Sequence, residues 1–173
     1  MATAFSETES RDSLARLLES PVIQRPSGRN SVHLFQAISH LCGRDANGVL
    51  PETTELMDHI GEHRHYLFVL VDGLGINQEP LYPADGFLKN TPNTVITSVY
   101  PSTTAVALTS QATGLWPGEH GVTGWNTHLP ERELTVLPLK ASERMSTQPI
   151  KQLNIPFREV VQPDSLFPAF ERQ

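Results

Sequence analysis

The sequence predicts an α/β fold, a mostly parallel sheet flanked by helices. Three observations point there. Residues 66–72, YLFVLVD, form a continuous apolar run with aromatic and β-branched members, closed by Asp72-Gly73. Such a run reads as a strand buried on both faces, the kind that parallel sheets sandwich between helices. A second β-rich run, TVITSVYP, occupies 94–101. It is followed by TAVALTSQATG at 104–114, which reads as a helix with Gly114 as its C-terminal stop. Strand, connection, strand and helix in that order follow α/β logic.

The remaining elements fall around these. SRDSLARLLESP, 10–21, places apolar residues at Leu14, Leu17 and Leu18, a short amphipathic helix stopped by Pro21. QRPSGRNS is a loop. SVHLFQAISHLCG repeats apolar residues at Val32, Leu34, Phe35, Ile38 and Leu41. It reads as a second helix, with Ser31 as N-cap and Gly43 at its end. PETTELMDHIGEH reads as a short helix opening at Pro51. ELTVLPL reads as a short strand. From Lys140 onward, four prolines and broken periodicity give small elements and loops. Residues 1–60 are thereby set apart as a helical N-terminal extension.

The 173 residues suffice for one domain with a sizeable core. With 13 basic against 19 acidic residues the chain carries −6, and no block of like charge offsets this. Sequence-independent binding to a nucleic-acid duplex needs a basic surface and is not expected. The one cysteine, Cys42, allows neither an internal disulfide nor a Cys-rich zinc site, and reads as a small buried apolar residue. The N-terminus has no basic start followed by an apolar core, and no apolar run approaches the roughly 20 residues of a membrane span. The expectation is a soluble, cytoplasmic protein without membrane contact.

Asp72 is the first candidate site residue. It closes the apolar run, where an open α/β sheet would bind its ligand. A carboxylate there suits a cation such as Zn²⁺ or Mg²⁺. Asp-Gly after a strand is equally ordinary turn chemistry. DGLGIN is no dinucleotide fingerprint, because Gln78 stands where the third glycine should be. The hydroxyl run Ser102, Thr103, Thr104 precedes the helix. One hydroxyl would serve as an N-cap. The same helix start would hold a phosphate, with a hydroxyl facing it. An unaided threonine is a poor nucleophile, so it needs a base or a metal. No G-x-S-x-G elbow is present. His59, His63 and His65 lack the H-E-x-x-H pattern and read as a solvated lead-in to the strand. His120, among turn residues, reads as a structural hydrogen-bonding group.

Several segments together resemble the alkaline phosphatase superfamily, and within it the type I phosphodiesterase/nucleotide pyrophosphatase branch. They are FVLVDGLG with Asp72-Gly73, Thr91-Pro92-Asn93, Pro101-Ser102-Thr103-Thr104, and Thr113-Gly114-Leu115-Trp116-Pro117 through His120-Gly121. The likeness is firm over 66–126. It implies an alkaline-phosphatase-like domain, of which 61–173 would be the N-terminal part. The implied reaction is two-zinc hydrolysis of a phosphodiester or nucleotide pyrophosphate bond, with a small phosphoester or nucleotide as substrate. Asp72 would be a ligand of one metal. Thr104 would bind that metal and act as nucleophile, passing through a covalent phospho-threonine. Asn126, one residue beyond the usual offset, is the nearest candidate to hold the phosphate.

The family's later metal ligands, Asp-x-x-x-His, Asp-His and a further His, have no match. After Asn126 the chain offers only His128 and Asp164. Two metals need roughly three or four protein ligands each. The expectation is therefore an incomplete domain, a fragment or truncated product inactive alone, with self-association through an exposed sheet edge. A non-catalytic binding or assembly module and a phosphomonoesterase on the same scaffold are the alternatives.

Overall fold

Helix α1, Ser31–Leu41, ties the two ends of the described chain together. A computed structural model describes residue 16 and residues 28–44, 49–91 and 94–167. The helix expected over 10–21 lies outside these apart from Arg16, which is helical and exposed. The N-cap of α1 is Asn30 rather than Ser31. Asn30 Oδ1 accepts from the N–H groups of Val32 at 2.8 Å and His33 at 3.2 Å. An Asx side chain reaches the second and third N–H of the helix more readily than the hydroxyl one residue later. Asn30 also forms a parallel bridge with Thr97. Ser31 N–H donates to Thr97 O, and Thr97 N–H donates to Arg29 O, both at 3.0 Å.

Helix α2, Pro51–Ile60, opens with proline in its first turn, where a missing N–H costs nothing. It packs on α1 through Leu56, 1% exposed, and through Thr53, whose hydroxyl donates to Gln36 Oε1 at 3.2 Å. A four-residue helix, α3, follows at Phe87–Asn90. Helix α4, Thr104–Thr113, ends at Gly114 in the left-handed region, φ 67°, as the Gly114 stop required. A Cβ at Gly114 would also sit 3.1 Å from Leu166 Cδ1. Gln36 Nε2 donates to Gly114 O at 2.9 Å, which fixes this end of α4 against α1.

Beyond the four-residue α5, Pro117–His120, come three short strands. They are β1 Thr127–Leu129, β2 Leu134–Leu137 and β3 Ser142–Glu143, antiparallel in the order β1-β2-β3. The two connections share one design. Each is a 3₁₀ turn opening on proline, Pro130–Arg132 or Pro138–Lys140, closed by a residue in the left-handed region, Glu133 at φ 50° or Ala141 at φ 47°. The strand expected in ELTVLPL is β2, and its Val136 is fully buried. Helix α6, Phe157–Val160, completes the layer against β1.

Two apolar clusters result. One joins Val32, Val99 and Val106. The other joins Ala105, Val122, Leu129, Val136, Ile150, Ile155 and Val160. Helix α4 supplies a residue to each. No helix among the described residues is long and apolar enough to cross a membrane.

The structure is mixed helix and strand, as α/β allows, but the mostly parallel sheet is corrected. The sheet among the described residues is small and antiparallel, and parallel pairing is limited to the Asn30–Thr97 bridge. Residues 94–101 otherwise form no strand. Residues 66–72 do not form a buried strand either. They run without a ladder, and no backbone N–H or C=O of 67–70 is bonded among the described residues. Leu67 is 90% exposed and Val69 70%. A strand is made by hydrogen bonds along its edges, and no described segment makes them with this one over 67–70.

This correction has a measurable consequence. Val69→Asp is expected to change unfolding free energy by no more than about 0.5 kcal/mol, as at other exposed positions. Val136→Asp, which buries an unpaired carboxylate, should cost about 3 kcal/mol or more. Urea denaturation of the two variants checks this. A large loss at Val69 would show that 66–72 is covered in solution.

Candidate functional site

The apolar run ends in a turn that carries Asp72. Gly73 takes a positive φ of 77°. Leu74 N–H donates to Val71 O at 3.3 Å, and Gln78 Nε2 to Gly73 O at 2.8 Å. Asp-Gly thus does its ordinary turn work, and the turn brings the carboxylate to the start of α4. Thr104 Oγ1 donates to Asp72 Oδ2 at 3.3 Å, across 32 positions of sequence.

The hydroxyl run resolves by helix phase. Thr103 is the N-cap residue of α4, but its side chain accepts no capping hydrogen bond. Ser102 precedes the cap position, so none of the three hydroxyls caps the helix as one of them was expected to. Ser102 and Thr103 are exposed and make no side-chain hydrogen bond among the described residues. Thr104, the first helical residue, is half-buried, because Ala105 and Val106 directly after it are fully buried. Thr104 alone of the three is held in place through its hydroxyl.

Asp72 and Thr104 line a pocket of about 200 Å³ with Gly73, Ser98, Ser102 and Gln111. Ser98 and Gln111 were not singled out from sequence. Gln111 had a signal, since it lies seven residues after Thr104, two helical turns along one face. No Lys, Arg or His among the described residues lines this pocket. An anion here would meet a carboxylate with no side-chain cation to offset it. Two unit charges 4 Å apart repel by about 1 kcal/mol in water and about 4 kcal/mol at an effective dielectric of 20. The first turn of α4 offers N–H groups without intrahelical acceptors and a partial positive charge of about half a unit. That offsets only part of the repulsion.

The fit to a metal is partial. Asp72 and Thr104 present two oxygens at a separation compatible with one cation. Among the described residues, however, no group of three or more His, Cys, Asp or Glu is arranged to hold one. The described residues therefore do not make up the two-metal site that the resemblance implies.

The other candidates lie elsewhere. Asn126 is exposed and does not line this pocket. His59, His63 and His65 are exposed, and His63 Nε2 sits 3.1 Å from Ile60 O. His128 is exposed, with Nδ1 3.3 Å from Thr135 Oγ1. His120 is fully buried. Its Nδ1 accepts from Val122 N–H at 3.1 Å, and its Nε2 lies 2.9 Å from Ser110 Oγ. Nδ1 as acceptor fixes the neutral tautomer with the proton on Nε2, so both ring nitrogens are spent on structure.

Residues 88–150 match the family model described as Type I phosphodiesterase / nucleotide pyrophosphatase. The match is to a partial N-terminal region of that branch. It contains Thr104, His120 and Asn126, all of α4 and the three strands, and it begins after Asp72. No curated protein and no solved structure matches the chain. The pocket at the start of α4 joins Thr104 of the matched region to Asp72, which lies outside it.

His120 gives this region a pH signature. Burial pushes its pKa below the ordinary 6.5, against a smaller opposing pull from the Glu119 charge. The unfolded chain therefore binds a proton that the folded chain refuses. Stability is full above about pH 6.5 and falls as pH drops below it. Glu143 and Glu159 are displaced the other way. Backbone N–H groups of Met145 and Ser146 hold Glu143 down, and Arg132 holds Glu159 down. Their contributions are present above about pH 4.5 and are lost only below it. Urea midpoints between pH 5 and 7 should therefore fall toward acid in the wild type and lie flatter in His120→Gln. Equal slopes would show that His120 is not the group responsible.

Proposed function

We propose that this pocket is the reacting end of a metal-dependent phosphoester hydrolase that acts on a phosphodiester or nucleotide pyrophosphate bond. Thr104 is the nucleophile in this reading. The observation that carries it is the Thr104 Oγ1–Asp72 Oδ2 hydrogen bond at the first turn of α4. The match over 88–150 supports the substrate class, small phosphoesters.

The chemistry uses this chain's own groups. Asp72 accepts the hydroxyl hydrogen and leaves an oxygen lone pair of Thr104 free to face phosphorus. As the Oγ1–P bond forms, the bond from phosphorus to the leaving oxygen breaks. The hydroxyl proton passes to the Asp72 carboxylate, which returns it to Oγ1 when the phospho-threonine is cleaved, and the leaving oxygen on the far side of phosphorus takes its proton from water. Water then cleaves the phospho-threonine and restores Thr104. First-turn N–H groups of α4 hold the phosphoryl oxygens. Gln111 lies on the same helix face and offers an amide to the substrate. Asn126 would hold the phosphate only if its loop closes toward α4.

Metal dependence belongs to the proposal because the pocket has a carboxylate and no cationic side chain. No step is drawn through the metals, since two oxygens do not complete either site. The reading places the remaining donors on polypeptide beyond the described residues. Self-association through the exposed run 67–71 goes with it, because exposed apolar edges associate. The short donor set also favours a second reading, a non-catalytic relative that binds or assembles without turnover.

The test is hydrolysis of bis(4-nitrophenyl) phosphate with Zn²⁺ supplied, by the protein in the form that holds its full ligand set. Thr104→Ala should lower kcat about 10³-fold or more, with metal content and circular dichroism unchanged. The 173-residue chain alone should show no turnover above that background. Near-normal kcat in Thr104→Ala, with loss in Ser102→Ala or Thr103→Ala, would overturn the assignment. A folded, metal-loaded complete form without diester turnover would favour the non-catalytic reading, and preference for a monoester would favour a phosphomonoesterase.

A further inference from the structure

A second concavity lies away from the Asp72–Thr104 pocket. It is a groove of about 730 Å³ between α1 and the extended segment that follows α2. Its floor is Leu34, Phe35, Ile38, Leu41, Leu67 and Phe68, and Cys42 lies at one end. Its rim carries His63, Arg64 and His65. Phe35 packs edge-on against Phe68, with ring centroids 4.8 Å apart, so the floor is a formed surface rather than a gap between loose side chains.

We propose that this groove seats the chain's own N-terminal segment, through a helical face made of Leu14, Leu17 and Leu18. Four observations choose that occupant. The three leucines recur at the i, i+3, i+4 spacing of an amphipathic helix, the form that fills an apolar groove. Arg16, which would lie on the opposite face, is helical and exposed. Residues 1–20 hold four acidic residues, Glu7, Glu9, Asp12 and Glu19, against two arginines, which complements the basic rim. The reach is sufficient. The ten residues from Leu18 to Gly28 can span about 33 Å, and α1, along which the groove runs, is about 16 Å long. The docked segment covers apolar surface on α1 together with Leu67 and Phe68, and leaves Val69, Leu70 and Val71 uncovered. It couples the extension to the strand-like run without touching the pocket itself. This inference does not depend on the phosphodiesterase reading.

The lone cysteine makes the test specific. Leu14→Cys, Leu17→Cys and Leu18→Cys each create one possible intrachain disulfide, to Cys42. Under mild oxidation at micromolar concentration, at least one of the three should cross-link within the chain, as a faster-migrating species in non-reducing electrophoresis. Arg16→Cys, on the other face, should not. A disulfide needs Cα atoms within about 7 Å, so a segment lying elsewhere gives none. A second readout uses the native cysteine. In Leu14→Asp/Leu17→Asp, Cys42 should be alkylated at least 10-fold faster than in the wild-type chain, with circular dichroism unchanged. The proposal fails if none of the leucine positions cross-links within the chain. It fails if the disulfides are between chains, which would assign the groove to a second copy. It also fails if Cys42 reacts at the same rate in the wild type and the double variant.

Discussion

Helix α4 is the constraint on which the rest of the structure depends. Its second and third residues, Ala105 and Val106, are fully buried and enter different apolar clusters. A helix held on two sides cannot rotate about its axis without expelling one of them. At its far end, Gly114 is pinned by Gln36 of α1 and crowded by Leu166. The phase of the helix is therefore set by packing, and the phase decides which of three adjacent hydroxyls meets Asp72. Ser102 and Thr103 precede the helix and are exposed, and Ser102, though it lines the pocket, makes no hydrogen bond to Asp72. Thr104 is the first residue whose direction the packing controls. The position of the hydroxyl follows from hydrophobic burial one residue later, rather than from any polar network at the site.

Charge sets the limit on what this arrangement can do. A hydroxyl hydrogen-bonded to a carboxylate is oriented for attack, but the carboxylate repels the anion to be attacked. The α4 terminus returns only part of that cost. No Lys, Arg or His among the described residues lines the pocket, so in the proposed reaction the balance falls to a cation. The described residues bring two of its oxygens and no cluster of further donors. His120, the buried histidine closest in sequence, is fully engaged by Ser110 and Val122 and has nothing left to give a metal. Its neutrality suits a residue that holds α4 against the loop before β1.

What could be read from sequence was what short-range chemistry decides. Pro51 opening α2, Gly114 closing α4 and the short strand β2 are each fixed by a few neighbouring residues, and each is found in the structure. The cap of α1 was misplaced by one residue, because Asn30 and Ser31 are both capping types and only geometry chooses between them. The run 66–72 was legible as apolar and extended but not as paired. Pairing is a property of distant segments, and none of the described ones is hydrogen-bonded to it over 67–70. At the pocket, a turn signal marked Asp72 and a helix-start signal marked the hydroxyl run, while Thr104 was set apart from its neighbours only by the resemblance. Gln111 was not picked out, since one amide two turns into a helix looks like any surface residue until the pocket is seen. Asn126 was proposed by its distance from His120-Gly121, and the structure leaves it exposed and outside the pocket.

The position of the covalent adduct bears most directly on the central claim, that packing of α4 selects Thr104 as the attacking group. The Zn²⁺-supplied protein, in a form that turns over a phosphodiester, would be quenched in acid during turnover and digested, and peptides spanning 95–115 mapped by mass spectrometry. The account predicts a phosphoryl adduct on Thr104. Turnover accompanied by an adduct on Ser102 or Thr103, or by no adduct on this segment, would contradict it.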